Sequence, residues 1–219
     1  MINFDKEFVK TMQTQAKAKS VLLHTCCVPC ALYCIDYLKG FDIKLLKLFF
    51  FNPNIVPKDE YIKRAEQIKK LDLPSGDNGL KITYKICDYD SGLYLNRLSE
   101  KQGQAKEQGS EFAVLTKKAI EKEKTETENC PNCFYFRLLK TAEYAAQNDF
   151  DFFCTTLTVS PHKNSLVLNQ IGKMVEGQTG VKFIPSDFKK NDGFKKSTIL
   201  SDKLNIYRQN YCGCALSNS

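Results

Sequence analysis

The chain has no apolar run long enough to enter a membrane, and none is placed to act as a secretion signal. Its N-terminal "MINFDKEFVKTMQTQAKAKS" is amphipathic and lysine-bearing. The most apolar stretch, "LLKLFFFNPNIVP", is broken by charge and proline within a few residues. The expected location is therefore cytoplasmic. Internal repeats and low-complexity tracts are also missing, and 219 residues suit one domain whose core needs no covalent staples. Histidine is scarce, with His24 and His162 as the only two. His24 closes an apolar run and reads as a hydrogen-bonded strand-end residue rather than a ligand.

Cysteine, by contrast, is abundant. Ten cysteines in a reducing compartment point to metal binding or redox chemistry rather than a disulfide framework. The 32 Lys and Arg against 25 Asp and Glu leave a formal charge of +7, which favours an anionic partner if the charges share a face.

Strand-like runs alternate with helical patterns. The strands expected are "SVLLHT", "IKLLKLFFFN", "KITYKIC", "DFFCTTLTV" and "VKFIPSD". Helices are expected from the cysteine cluster after the first strand, over "PKDEYIKRAEQIKKL", from "CPNCFYFRLLKTAEYAAQ", and from "SPHKNSLVLNQIGKMV" with Ser160 as cap and Pro161 in the first turn. Such alternation predicts an α/β fold, a mostly parallel sheet with helices on both faces, in a single domain over 1–219. A polar, partly helical insertion is expected around 90–128 and a redox or metal-binding tail over 205–219. Ligands of such sheets gather beyond the carboxyl ends of the strands.

Two cysteine groups fall where that rule puts ligands. "VLLHTCCVPC" runs off the first strand, so Cys26 and Cys27 occupy a strand-to-helix corner, and "CPNC" opens a later helix with Cys130 and Cys133. Helix N-termini favour thiolates. Three readings compete. Burial as small apolar residues suits Cys34, Cys87 and Cys154. A thioredoxin-type dithiol at Cys27 and Cys30 leaves Cys26, Cys130 and Cys133 unexplained. A metal centre held by Cys26, Cys27, Cys130 and Cys133 uses both groups, and four thiolates suit zinc or an iron-sulfur cluster equally.

Three further stretches carry functional chemistry. "TTLTVSPHKN" leaves a strand with hydroxyls, Ser160 among them, and Lys163 close behind, which suits either plain capping or a phosphate cradle. "IPSDFKKNDGFKKS" sets Asp187 at a strand end before basic residues around a glycine, as a site or as a solvated loop. "YRQNYCGC" gathers Tyr207, Arg208, Tyr211, Cys212 and Cys214 in a tail too rich for a plain terminus.

Together "LLHTCCVPCA", "FFFNPNI", "CPNCFYFRL", "TTLTVSPHKN", "SDFKKNDGF" and "IYRQNYCGC" resemble, nearly end to end, the QueH-type epoxyqueuosine reductases of bacterial queuosine biosynthesis. The resemblance implies reduction of the epoxide of epoxyqueuosine at the tRNA wobble position, without cobalamin. It also implies a 4Fe-4S cluster with a second mononuclear metal, iron or zinc, on a fold similar to the adenine-nucleotide alpha-hydrolases. That fold's ATP-using relatives have a glycine-serine-rich loop after the first strand, where this chain has "HTCCVPC", so ATP-dependent activation is not expected. An electron-donor protein such as ferredoxin or flavodoxin completes the expected partners, beside the tRNA.

On this reading Cys26, Cys27, Cys130 and Cys133 are the cluster ligands. Asp187 or Tyr211 serves as proton donor or second-metal ligand, and Arg137, Ser160, Lys163 and Arg208 hold the tRNA or the modified base. Cys212 and Cys214 enclose only Gly213, so a disulfide between them would be strained and readily reduced. They are expected to form such a redox-active disulfide, to ligate the second metal, or to pack the tail. The competing class is a zinc-stabilised tRNA-binding module without redox catalysis.

Overall fold

The computed structural model describes residues 3–15, 19–73, 79–92, 94 and 130–214. The expected insertion around 90–128 lies almost wholly outside the described residues, as does the tail beyond 214. In chain order the elements are α1 (Phe4–Thr14), β1 (Lys19–His24), α2 (Val28–Leu38), β2 (Ile43–Phe50), α3 (Lys58–Lys69), β3 (Lys81–Ile86), α4 (Cys130–Gln147), β4 (Phe152–Thr155), a 3₁₀ turn (Thr156–Val159), α5 (Ser165–Thr179), β5 (Lys182–Phe183) and α6 (Gly193–Lys203). The five strands form one parallel sheet in the order β3-β2-β1-β4-β5. This is the α/β single-domain architecture that the alternating pattern predicts.

β1 lies at the centre because both its faces are apolar. Successive strand residues point to opposite faces, so Val21 and Leu23 enter the core shared with α1, α2 and α6, while Leu22 enters the one shared with α4 and α5. A smaller cluster of Phe50, Ile55, Tyr61, Ala65 and Ile68 seats α3. Among the described residues no helix is long and apolar enough to cross a membrane.

The chain travels outward from β1 to β3, then returns to β4 on the other side of β1. That reversal opens a crevice beyond the carboxyl ends of β1 and β4, the usual ligand position in doubly wound sheets. His24 pairs with Thr155 at the two strand ends. Cys26 and Thr156 follow directly, and the Cys26 N–H donates to the Thr156 hydroxyl at 3.2 Å.

Three local expectations differ from the structure. The fourth strand stops at Thr155, because its own hydroxyl accepts from the Leu157 N–H at 3.1 Å and starts the 3₁₀ turn. α5 is capped by Asn164, whose Oδ1 accepts from Leu166 and Val167, so Ser160 instead closes the turn before it. The basic stretch around Gly193 is a turn only as far as Asp192, with Lys189 and Lys190 on it, and from Gly193 it is the start of α6, whose buried face is Gly193, Ser197 and Ser201. Small residues four apart let α6 lie close on α2 without an apolar stripe. At Gly193 a Cβ would sit 1.7 Å from the Phe188 carbonyl oxygen and 2.6 Å from Tyr33 Cε1.

Candidate active site

The crevice holds a cavity of about 520 Å³ lined by Cys26, Cys27, Cys30, Cys130, Cys133, Cys212 and Cys214. Three elements deliver these sulfurs: the β1-to-α2 corner, the start of α4 and the C-terminal tail. The sulfurs of Cys26, Cys27 and Cys30 all lie within 4.8 Å of one another, an arrangement that can hold a metal ion. Cys27 is the N-cap of α2 yet makes no side-chain cap bond. A Ser or Asp there would stabilise the helix by about 1 kcal/mol, so helix stability is given up to leave a sulfur facing the cavity. Cys30, one turn on, is the sulfur that the four-ligand reading left out.

These thiols are electrostatically unequal. Hydrogen bonds from Cys27 and Cys30, helped by Arg137 and Lys163, hold the Cys26 thiol well below its usual range despite burial. The Thr156 hydroxyl also donates toward its sulfur at 3.5 Å. Cys27 is pushed up to about 12, first by its hydrogen bond to Cys26 and then by burial, and Cys30 moves the same way. Burial lifts Cys133 to about 11 against the pull of Arg137.

Arg137 is a buried cation of the site, only 2% exposed. It lies one turn along α4 from Cys133 and donates to that sulfur from Nη1 at 3.8 Å. Its Nη2 donates to Asn52 Oδ1, and Asn52 in turn donates to the Thr25 carbonyl at 2.9 Å. Its Nε points at His24 Nε2 from 3.3 Å, an atom that also lies 3.3 Å from the Phe51 carbonyl, while Nδ1 faces the Thr155 hydroxyl at 3.0 Å, so both ring nitrogens have polar partners. Burial, then the Arg137 charge, lower His24 to about 3 and keep it neutral. The expectation of a hydrogen-bonded strand-end histidine describes it.

No carboxylate lies within ion-pair distance of Arg137 or Lys163 among the described residues. An uncompensated buried cation is costly. Here the support comes from the sulfurs: burial opposes both charges, but neighbouring cysteines outweigh it, and Cys26, the thiol held low, acts on Lys163 and Arg137 alike. No Asp or Glu is among the described lining residues, so the cavity is built for anionic contents.

The tail closes the cavity. Tyr211, Cys212 and Cys214 line it, as do Arg208, Ser160 and Lys163, whereas Asp187 does not. Asp187 sits on the loop after β5, where burial raises its carboxyl and Ser165 is a hydrogen-bond partner. None of the ten cysteines is joined in a disulfide, so the one expected between Cys212 and Cys214 is not formed. The two sulfurs act on one neighbourhood: Cys212 acts electrostatically on Cys133, Arg137 and Lys163, and Tyr94 is hydrogen-bonded to both Cys133 and Cys214. Arg64, Tyr94, His162 and Phe194 are lining residues that sequence reasoning missed, being supplied by segments remote from the cysteine motifs.

Fold and site together define a cysteine-centred α/β protein in which thiols and fixed cations occupy the sheet's ligand crevice. Comparison with known proteins makes this specific. The family model for epoxyqueuosine reductase QueH matches residues 21–112 and 104–219. The epoxyqueuosine reductase QueH of Streptococcus pyogenes serotype M1 is 34% identical over 221 residues, covering 97% of this chain and 77% of that protein. That of Staphylococcus epidermidis is 32% identical, covering 99% of this chain and 84% of its own length, and that of Thermotoga maritima is 34% identical, covering 90% of each. The chain belongs to the epoxyqueuosine reductase QueH family, a family of oxidoreductases.

Proposed function

We propose that this protein reduces the epoxide of epoxyqueuosine in tRNA to the alkene of queuosine in the cytoplasm, without cobalamin, using a 4Fe-4S cluster held by Cys26, Cys27, Cys130 and Cys133. The observation that carries the reading is the convergence of both cysteine groups on one cavity whose described lining has no carboxylate and includes the buried Arg137 and the half-buried Lys163. Thiolate donors suit such a cluster, and Arg137 and Lys163 offset the negative charge that cluster and thiolates bring. A second metal, iron or zinc, has Cys30, Cys212 and Cys214 as the remaining lining sulfurs.

The overall change consumes two electrons and two protons: both epoxide C–O bonds break, the carbons gain a double bond and the oxygen leaves as water. Bound there, the cluster would relay the electrons from a donor protein such as ferredoxin or flavodoxin. The protein's own groups bind, orient and protonate. Tyr211, which lines the cavity with Arg64 over its ring at 5.3 Å, serves as the proton donor in this reading. Lys163 and Ser160 line the cavity on the side of the 3₁₀ turn and contact the substrate there. Arg137, buried and fully engaged, keeps the anionic centre in place and lies too deep for a backbone phosphate.

Anaerobic purification tests this directly. The protein should be brown, carry iron and sulfide, and convert epoxyqueuosine in tRNA to queuosine, as read by nucleoside mass spectrometry. Colourless zinc protein without turnover would identify a tRNA-binding module instead. Cys130→Ala should lose iron together with activity, and a spectroscopically unchanged cluster in that variant would refute the ligand set.

A further inference from the structure

Several large apolar side chains are exposed, among them Ile62, Tyr84, Leu166, Phe194, Ile199 and Leu204, and of these Phe194 alone lines the cysteine cavity. It is 42% exposed. A part-exposed aromatic ring lining a cationic cavity offers a planar apolar face to whatever enters.

Its backbone is rigidly placed. The preceding Gly193 is packed against the Phe188 carbonyl and Tyr33 too closely for any side chain. α6 lies on α2, the helix that carries Cys27 at its cap and Cys30 in its first turn. The backbone that carries Phe194 is thus fixed relative to the sulfurs by a tight helix pair. Lys195 and Lys196 follow it, both exposed, and Lys163 and Arg208 line the same cavity. The charged lining residues described are Arg64, Arg137, Lys163 and Arg208, with no carboxylate among them.

A planar apolar face amid cations matches one chemistry well: a nucleobase flanked by phosphates. Single-stranded RNA is held by stacking bases on aromatic side chains while basic groups follow the backbone. A nucleotide drawn out of its stack to reach a buried centre leaves its neighbour with one bare face. We propose that Phe194 is the stacking platform for the base adjacent to the nucleotide that enters the cavity, fixing the RNA's register over the cysteines. This rests on the reading of the substrate as tRNA.

The test uses cluster-loaded protein and an anticodon stem-loop RNA, with affinity read by fluorescence anisotropy. Phe194→Leu keeps an apolar side chain but no π face, and should weaken binding roughly 5- to 100-fold, the range of one lost base–aromatic stack. Phe194→Tyr should bind as the parent does. Iron content should match the parent in both variants and the melting temperature should change little, since the ring is part-exposed and both replacements stay apolar in bulk. Equal affinity of Phe194→Leu and parent, or a Tyr variant no better than Leu, would overturn the platform. So would a Phe194→Leu variant that binds RNA normally but shows a raised KM for a ferredoxin donor, which would give the face to a protein partner. A parent protein that fails to bind the stem-loop at all would instead overturn the tRNA reading itself.

Discussion

The Arg64 guanidinium donates from Nη1 to the carbonyl of Cys212 over 3.0 Å, tying α3 to the C-terminal tail. Its Nη2 reaches the Tyr211 carbonyl at 3.4 Å, and its Nε pairs with Glu60 at 2.7 Å in an ion pair only 3% and 9% exposed. Glu60 also accepts from the Tyr207 hydroxyl, and Lys63 stands 3.5 Å from the centre of the Tyr207 ring. From the other side the Val56 N–H donates to the Gly213 carbonyl at 2.8 Å. Gly213 has φ +98°, a left-handed conformation that glycine adopts without strain. A folded clamp therefore presents the tail cysteines to the cavity without any covalent link.

Arg64→Met should break that clamp. It leaves Glu60 buried without its cation, which costs about 3–5 kcal/mol for such pairs. The melting temperature should fall, and Cys212 and Cys214 should be alkylated faster than in the parent, as mass spectrometry with iodoacetamide would show. Arg64→Lys keeps the charge but lacks the planar fork that reaches two carbonyls and a carboxylate, so its alkylation rate should fall between the two. Parent-like alkylation in the Met variant would mean that the tail is held by something else.

Arg137→Met should be more damaging than its position away from the surface suggests. It strands the Asn52 and His24 partners in a buried site. Hydrogen bonds to a charged group contribute about 1.5–3 kcal/mol each, so a loss of at least about 3 kcal/mol is expected in denaturant unfolding. Iron should also leave the variant faster under chelator challenge, because the buried positive charge has gone. Retained iron with lowered stability would restrict Arg137 to a structural role.

Gly193→Ala isolates the packing of α6. The new Cβ would meet a backbone oxygen rather than a flexible side chain, so the helix must move, at a cost of about 1–3 kcal/mol for such overpacking. If Phe194 is the RNA platform, this variant should lose stem-loop affinity while the exposed ring itself is unchanged. Unaltered stability would contradict the close approach of α6 to α2.

Much of this molecule was readable from its sequence, for reasons that differ by element. β1 and β2 are apolar on both faces, and a short buried parallel strand has that pattern. α6 was missed because its buried positions are Gly193, Ser197 and Ser201, which carry no hydrophobic period, while Ile199 and Leu204 on the same segment face water. The two cysteine groups were legible because thiols at helix starts after strand ends have few structural uses. Cys30 was weighed only as half of a dithiol, although a cap residue and the third residue of the helix share one turn and so bring their sulfurs together. Arg64 and Tyr94 carry no motif, and only tertiary packing brings them to the cavity.

Asp151 offers a test of stability at the sheet edge opposite the cysteines. Its Oδ2 accepts from both the N–H and the hydroxyl of Ser20 at 2.9 Å, joining the start of β1 to the start of β4, and Lys19 approaches Oδ1 at 3.3 Å. Burial tends to raise this carboxyl, but the Ser20 N–H and hydroxyl, then Lys19, outweigh it and hold the group below its usual value. The folded state therefore binds fewer protons than the unfolded state between the two pKa values. Stability from this group is complete above the unfolded pKa of about 3.9 and is lost as pH falls through the lower folded value. The side chain is 36% exposed, so solvent screening limits the effect to roughly 1 kcal/mol. Asp151→Asn keeps an acceptor but removes the charge. It should cost roughly that amount at neutral pH in denaturant unfolding, and the gap to the parent should close as pH is lowered through the carboxylate range. Iron content and stem-loop affinity should be untouched, because none of these contacts reaches the cavity. A gap that persisted at acid pH would show that Ser20 is held by geometry alone and that the charge contributes nothing.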